Sequence, residues 1–172
     1  ISVSWGEIPL LTKPNTYKLT SDDIALTTIN IYNNNISDTI ATRIKLKNLS
    51  EKDIDINNLK IVYLYQNDGN ENEVFECDWA GQDNKYITNS VNGTISYDES
   101  LGCSKISVKF TKEDNCMLTP DTILDVHFRV HTINWDKYDL SNDLSFHPEL
   151  EYTENSKLLI YYNGELVNDS AT

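Results

Sequence analysis

With 172 residues, 39% of them hydrophobic and 24% charged, the chain has the size of one domain and is too apolar for disorder. Its 14 Lys plus Arg against 27 Asp plus Glu leave a net charge of −13, which argues against nucleic acid and anionic membrane surfaces, both bound through Lys and Arg. Neutral ligands, basic partners and hard cations such as calcium stay open, and no apolar run reaches the ~18–20 residues of a membrane span.

Residues 1–26 carry Pro9 and Pro14 without a regular pattern and read as an N-terminal extension or linker remnant, with the folded module over 27–172. From there the strand signals follow one another. Ile44 and Leu46 alternate with Arg43, Lys45 and Lys47; Leu59, Ile61, Tyr63 and Tyr65 alternate with Lys60, Val62 and Leu64. Further on, Ile106, Val108 and Phe110 alternate with Ser107 and Lys109, and Leu124, Val126, Phe128 and Val130 with Asp125, His127, Arg129 and His131. Each is a period-2 pattern with one face buried. Leu158–Tyr162, Asn163-Gly164 and Glu165–Val167 read as a hairpin closed by a type I′ turn, because Asn-Gly accepts positive φ at both central positions. No window holds a 3.6-residue period, and the 20 Asn cluster between strands, where they support turns. The pattern predicts an all-β chain, an antiparallel β-sandwich.

The three cysteines are too few for a disulfide framework. Cys77, after Val74 and Phe75, reads as core; Cys103 and Cys116 flank a strand, and their pairing is left open. No two carboxylates are marked out as an acid–base pair by an apolar pocket. His127 and His131 share a strand face but stand ~13 Å apart at ~3.3 Å per residue, too far for one ion. No Gly-x-Ser-x-Gly elbow is present. No dedicated active site is visible.

Two constellations are more specific. Gln66-Asn67-Asp68-Gly69 and Asp139-Leu140-Ser141-Asn142-Asp143 are acidic turns that together could supply the ~6–8 oxygens calcium takes. Asp78-Trp79, Tyr86, Arg129 and Trp135 form a planar, polar-aromatic set that could stack on the apolar faces of sugar rings. On the residues alone, Trp79 and Trp135 are equally open to a place in the core.

The segments Arg43–Asn48, Tyr63-Leu64-Tyr65, Cys77-Asp78-Trp79-Ala80, Phe128-Arg129-Val130, Trp135–Phe146 and Tyr162–Val167 come in the order found in one family. The chain resembles, over about Thr27 to Val167, the family 3 carbohydrate-binding modules of cellulosomal scaffoldins, cellulases and biomass-sensing anti-sigma factors. The resemblance implies a jelly-roll sandwich of about nine strands, a structural calcium and a flat cellulose-binding face. Carried over by position, the binding strip falls on Asp78, Trp79, Tyr86, Arg129 and Trp135, with Asp78 and Arg129 as an ion pair. A second, anchoring row falls on Asn35, Ser37 and His127. The calcium ligands fall on the Gln66 carbonyl, Asp68, the Asp139 carbonyl, Asn142 and Asp143, in the two acidic loops. The family's shallow groove on the opposite face falls at Val62 and Leu64 and is altered.

The implied function is non-catalytic adsorption to crystalline cellulose or a related plant cell-wall polysaccharide. It would be exerted by a monomeric module without nucleic-acid or direct membrane contact, in a fragment of a larger bacterial extracellular or cell-surface protein. Two alternatives stay open: the same module as the polysaccharide-sensing domain of a membrane anti-sigma factor, and a protein-interaction sandwich that has lost sugar binding.

Overall fold

An extended chain whose side chains alternate apolar and polar can bury its apolar side only by pairing into a sheet and covering that face. The computed structural model, which describes residues 17–32, 34–83, 85–111 and 117–168, meets this requirement with two antiparallel sheets. In chain order the strands are β1 (Ile24–Asn30), β2 (Ile36–Ser37), β3 (Ile40–Asn48), β4 (Ile54–Asp55) and β5 (Leu59–Tyr65). Next come β6 (Glu73–Gln82), β7 (Lys85–Tyr86), β8 (Val91–Asp98), β9 (Cys103–Phe110) and β10 (Met117–Leu118). The last are β11 (Ile123–Thr132), β12 (Tyr138–Asp139), β13 (Thr153–Glu154), β14 (Leu159–Tyr162) and β15 (Glu165–Leu166).

The first sheet has the order β13-β1-β3-β11-β6-β7 and the second β15-β14-β5-β9-β8, while β10–β4 and β12–β2 are small ribbons. The chain changes sheet after β3, β5, β7, β9 and β13, the alternation of a jelly-roll sandwich. Many of the described strands are two-residue pairings at the rims, so their number exceeds the nine expected. The hairpin is as predicted: Tyr162 pairs with Glu165, and Asn163 (φ 53°) and Gly164 (φ 80°) are both left-handed.

The inward residues of the four alternating strands make the core. Ile44, Leu46, Ile61, Ile106, Val108, Leu124, Val126 and Phe128 are at most 1% exposed. Phe128 packs edge-on to Tyr63 and stacks on Phe75 at 5.5 Å. At one end of the sandwich, the Tyr65 and Tyr138 hydroxyls both donate to Glu73 Oε2, at 2.7 and 2.8 Å.

The boundary expected at residue 26 falls inside a strand. β1 pairs with β3 from Ile24↔Asn48 onward, and Leu19 and Ile24 are buried in the core. The sandwich therefore takes in residues N-terminal to Thr27, because their apolar side chains help close it. Residues 1–16 of the expected extension lie outside the described residues. Val62 and Leu64, on the other side of β5 from Ile61 and Tyr63, are also buried, packed with Cys103, Leu159 and Tyr161 into a second apolar cluster. The Cys103 thiol is free, Cys77 is half-buried against the core, and Cys116 lies outside the described residues.

Candidate functional site

On β11 the residues between the core positions, His127, Arg129 and His131, face away from the second sheet, and β6 pairs alongside them. A regular β6 would put Asp78 and Trp79 on opposite faces. It does not, because the ladder pairs His127 with Trp79 and Phe128 with Cys77, leaving Asp78 as an extra residue opposite no partner. This β-bulge lets Asp78 and Trp79 both face outward while Cys77 and Ala80 stay on the core side. The expected strip thus converges on the outer face of the first sheet.

Arg129 is the centre of that face. Its Nε donates to Asp78 Oδ1 at 2.8 Å and its Nη2 lies 3.0 Å from Glu76 Oε2, so one guanidinium bridges two carboxylates. The hydrogen bond to Asp78 leads the effects that raise the Arg129 pKa, with the charges of Asp78, Glu76 and Tyr32 adding to it.

At one end, Trp79 is 39% exposed, and its indole lies across Gly81: a Cβ there would come within 2.6 Å of Cη2. Only glycine leaves room for the ring at this position. Tyr86, 61% exposed, pairs with Gly81 across the β6–β7 ladder and so shares its face. His127 lies beside Trp79, with ring centres 5.1 Å apart. Burial pushes its pKa below the usual histidine value; Asp125, 3.0 Å from Nε2, opposes that shift and Arg43 adds to it.

At the other end, Trp135 is 45% exposed and its indole lies flat on the His131 ring, 3.8 Å between centres and 2° between planes. His131 itself is only 8% exposed, so the indole covers the imidazole and turns its other face to solvent. Trp135 has φ 57°, a left-handed conformation a bulky residue takes at a cost of ~1–3 kcal/mol. A clasp holds it there: the Trp135 N–H donates to the Thr132 carbonyl, and the Asp136 N–H donates to Thr132 Oγ1 at 2.8 Å.

The two acidic loops meet at the Tyr65–Tyr138 end. Asp68 (φ 56°) and Gly69 (φ 78°) form a tight turn; Asp139 caps the 3-10 turn Leu140–Asn142 by accepting from the Ser141 N–H. Across the gap, Asp68 accepts from the Asp139 N–H and the Asn142 amide, each at 2.7 Å, and Asp143 Oδ1 accepts from the Gln66 N–H at 2.8 Å. Asp143 is 6% exposed and its Oδ2 is buried without a hydrogen-bond partner. Burial, followed by the charges of Asp68, Asp139 and Glu73, pushes its carboxyl up to about 8, against the opposing pull of the Gln66 N–H. Among the described residues no three His, Cys, Asp or Glu side chains are placed to hold a metal ion by themselves, so a cation here would depend on carbonyl and amide oxygens as well. A buried carboxylate oxygen with no partner and a crowd of acids around it is a site that a hard cation would complement.

The three anchoring positions do not share one place. Ser37 lies in the β2–β12 ribbon, with its Oγ accepting from the Thr39 N–H, and the Asn35 carbonyl accepts from Leu140 N–H. His127 stands well inside the sheet, opposite Arg43 and Trp79. Sequence reasoning missed Glu76, Gly81 and His131 as members of the face. The alternation with Arg129 did mark His131 as outward; the contacts of Glu76 and Gly81 had no such signal.

The outer face of the first sheet thus carries two half-exposed indoles, a tyrosine and a guanidinium bridging two carboxylates. Residues 26–168 match the family model described as "Cellulose binding domain" (CBM_3), and the chain belongs to that family. It is similar to cellulosomal-scaffolding protein B of Acetivibrio thermocellus, 31% identical over 150 residues, covering 81% of this chain and 19% of that protein. An anti-sigma-I factor of the same species is 28% identical over 142 residues, 80% of this chain and 27% of that protein. The chain thus spans only a small part of the curated relatives it matches. Among solved structures, the CBM3a-L domain of scaffoldin cipA from the Clostridium thermocellum cellulosome superposes with a TM-score of 0.80 at 25% identity, over 87% of this chain and 91% of that one. A biomass-sensing module of Clostridium thermocellum shares the fold, with a TM-score of 0.78 at 22% identity over 87% and 99% of the two chains.

Proposed function

We propose that the chain adsorbs to cellulose, without catalysis, through the outer face of its first sheet. The observation that carries this reading is the series Trp135, Arg129–Asp78, Trp79 and Tyr86 on one face of the first sheet, from β6, β7, β11 and the turn after β11. Pyranose rings offer C–H faces to such planes. Taking base–aromatic stacking as an analogue, each platform contributes ~1–3 kcal/mol. Three or four are then enough for micromolar binding, about −8 kcal/mol, since a rigid sheet avoids much of the ordering cost. Asn35, Ser37 and His127 would supply flanking polar contacts.

Calcium is proposed as a structural ion. Asp68, Asn142 and Asp143 would hold it, with the Gln66 and Asp139 carbonyls, and it would supply a positive countercharge for the buried Asp143 carboxylate. The domain would act as a monomer outside the cell. A second reading, an extracellular polysaccharide sensor, is favoured by the similarity to an anti-sigma-I factor and uses the same face.

The test is depletion from solution by microcrystalline cellulose. Wild type should adsorb, Trp135→Ala should bind about tenfold more weakly, and Asp78→Ala should lose affinity while Arg129 keeps Glu76. No reducing sugar should be released. Wild type left in the supernatant, or both variants binding like wild type, would refute the strip.

A further inference from the structure

The outer face of the second sheet, turned away from the strip, carries charge that the fold leaves uncompensated. Lys60 of β5 stands directly opposite Lys109 of β9 in the ladder, and Tyr161 of β14 flanks Lys60 on its other side. Like charges at such a cross-strand pair, ~5 Å apart at Cβ, destabilise a sheet. The chain has 27 Asp plus Glu, yet among the described residues neither of these ammonium groups is paired with a carboxylate. Lys105, further along the same face, does have one, Asp98 at 3.3 Å. Lys60 lies instead over the Tyr161 ring, 4.4 Å from its centre. Burial, followed by the charges of Lys109 and Lys105, lowers the Lys60 pKa.

A hollow of about 230 Å³ opens beside Lys60, Lys109 and Tyr161, walled by Asn57, Asn58 and Asn163, and no acidic residue lines it. Its rim is tied together: the Asn163 N–H of the last hairpin donates to the carbonyl of Asn58, which ends the 3-10 turn Ile56–Asn58, at 3.0 Å. Asn57 Oδ1 is buried without a hydrogen-bond partner. Two cations call for a carboxylate, and an amide oxygen without a donor calls for a hydroxyl. An Asp or Glu side chain or a bare inorganic anion brings the charge without the hydroxyls. The hollow is smaller than the ~300–1,000 Å³ of pockets for drug-sized ligands, which leaves room for one sugar unit. The net charge of −13 opposes the approach of a polyanion, so the charge must come singly.

We propose that the hollow beside Lys60 and Lys109 is a second binding site, which takes one uronic acid unit borne as a branch on an otherwise neutral polysaccharide. The two ammonium groups hold the carboxylate, and the asparagines, Asn57 foremost, take ring hydroxyls. The site lies on the other sheet from the strip and does not depend on the strip's reading.

The experiment is an amide NMR titration of the whole chain, in about 50 mM NaCl with millimolar calcium, using sodium glucuronate, glucose, sodium acetate and an Asp-containing tripeptide as probes. Glucuronate should shift Asn57, Lys60, Lys109 and Asn163 with a Kd on the order of 1 mM. Glucose, acetate and the peptide should each bind about tenfold more weakly or less, and Lys60→Gln, Lys109→Gln and Asn57→Ala should each weaken glucuronate about tenfold. All three variants should adsorb to microcrystalline cellulose like wild type, which shows that they fold. Glucuronoxylan should be bound more tightly than polygalacturonate. Shifts that leave these four residues out, or glucuronate binding that survives both lysine variants, overturn the proposal. So does acetate or the peptide binding as well as glucuronate, the one meaning recognition of a carboxylate alone and the other an acidic protein partner. A chain that binds glucuronate here but stays off cellulose keeps this site and loses the strip; one that adsorbs to cellulose and ignores glucuronate does the reverse.

Discussion

The Asp143 carboxyl is buried beside other acids. It is displaced to about 8, from an ordinary value near ~4, by burial and by the acids beside it. A folded-state pKa raised above the unfolded one means that the metal-free fold favours the protonated acid. That contribution to stability is full below about pH 4 and is lost as pH rises toward 8. The cation proposed at Asp68, Asn142 and Asp143 would reverse the preference, because it would bind the ionised form. Protein freed of metal with a chelator should therefore lose about 5 °C or more in thermal midpoint between pH 5 and pH 8. Calcium at pH 8 should restore it, and calcium binding at pH 7 should release close to one proton. Scanning calorimetry checks the first two and titration in buffers of different ionisation enthalpy the third. A midpoint that holds steady over this range, or that ignores calcium, removes the loop pair as a metal centre.

Strands and their pairing decide which of these residues meet. Phe75, inward on β6, lies against Gly93 of β8, where a Cβ would come 2.2 Å from the ring. The ring cannot simply withdraw, since it also stacks on Phe128. Gly93→Ala should cost about 1–3 kcal/mol by overpacking the contact between the sheets, lowering the thermal midpoint by about 2–10 °C; an unchanged midpoint would show that the sheets have slack there. Alternation made β3, β5, β9 and β11 legible in the sequence, and Asn163-Gly164 marked the last hairpin, because both are local rules of backbone geometry. The bulge at Asp78 was not legible: it depends on how β6 meets β11, and nothing in Glu76–Ala80 announces the extra residue. Resemblance put Asp78 and Trp79 together on the strip; alternation alone would have separated them. Glu76, Gly81 and Gly93 stayed hidden for a related reason, since their roles are set by a ring or charge arriving from elsewhere. The start of the sandwich was misjudged because Leu19 and Ile24 flank the polar turn Ser21–Asp23, which interrupts the pattern.

For the whole molecule, the net charge of −13 has no counterpart on a neutral polysaccharide. Cations that matter to the face are spent internally, Arg129 on Asp78 and Glu76, so adsorption should not depend on long-range attraction. Binding to cellulose at about 50 mM and about 500 mM NaCl should agree within about twofold, across a tenfold difference in salt that would strongly weaken a phosphate-binding surface. A steep salt dependence in depletion isotherms would point to a charged ligand instead. The bulge in β6 carries one more consequence. Upstream of it Phe75 and Cys77 point to the core; downstream the parity is reversed, and Ala80 does. Copying these side chains onto a regular ladder of another scaffold would hide either the carboxylates or the indole. The smallest portable unit is a piece of backbone, β6 with its surplus residue, β11 beside it and the turn that carries Trp135.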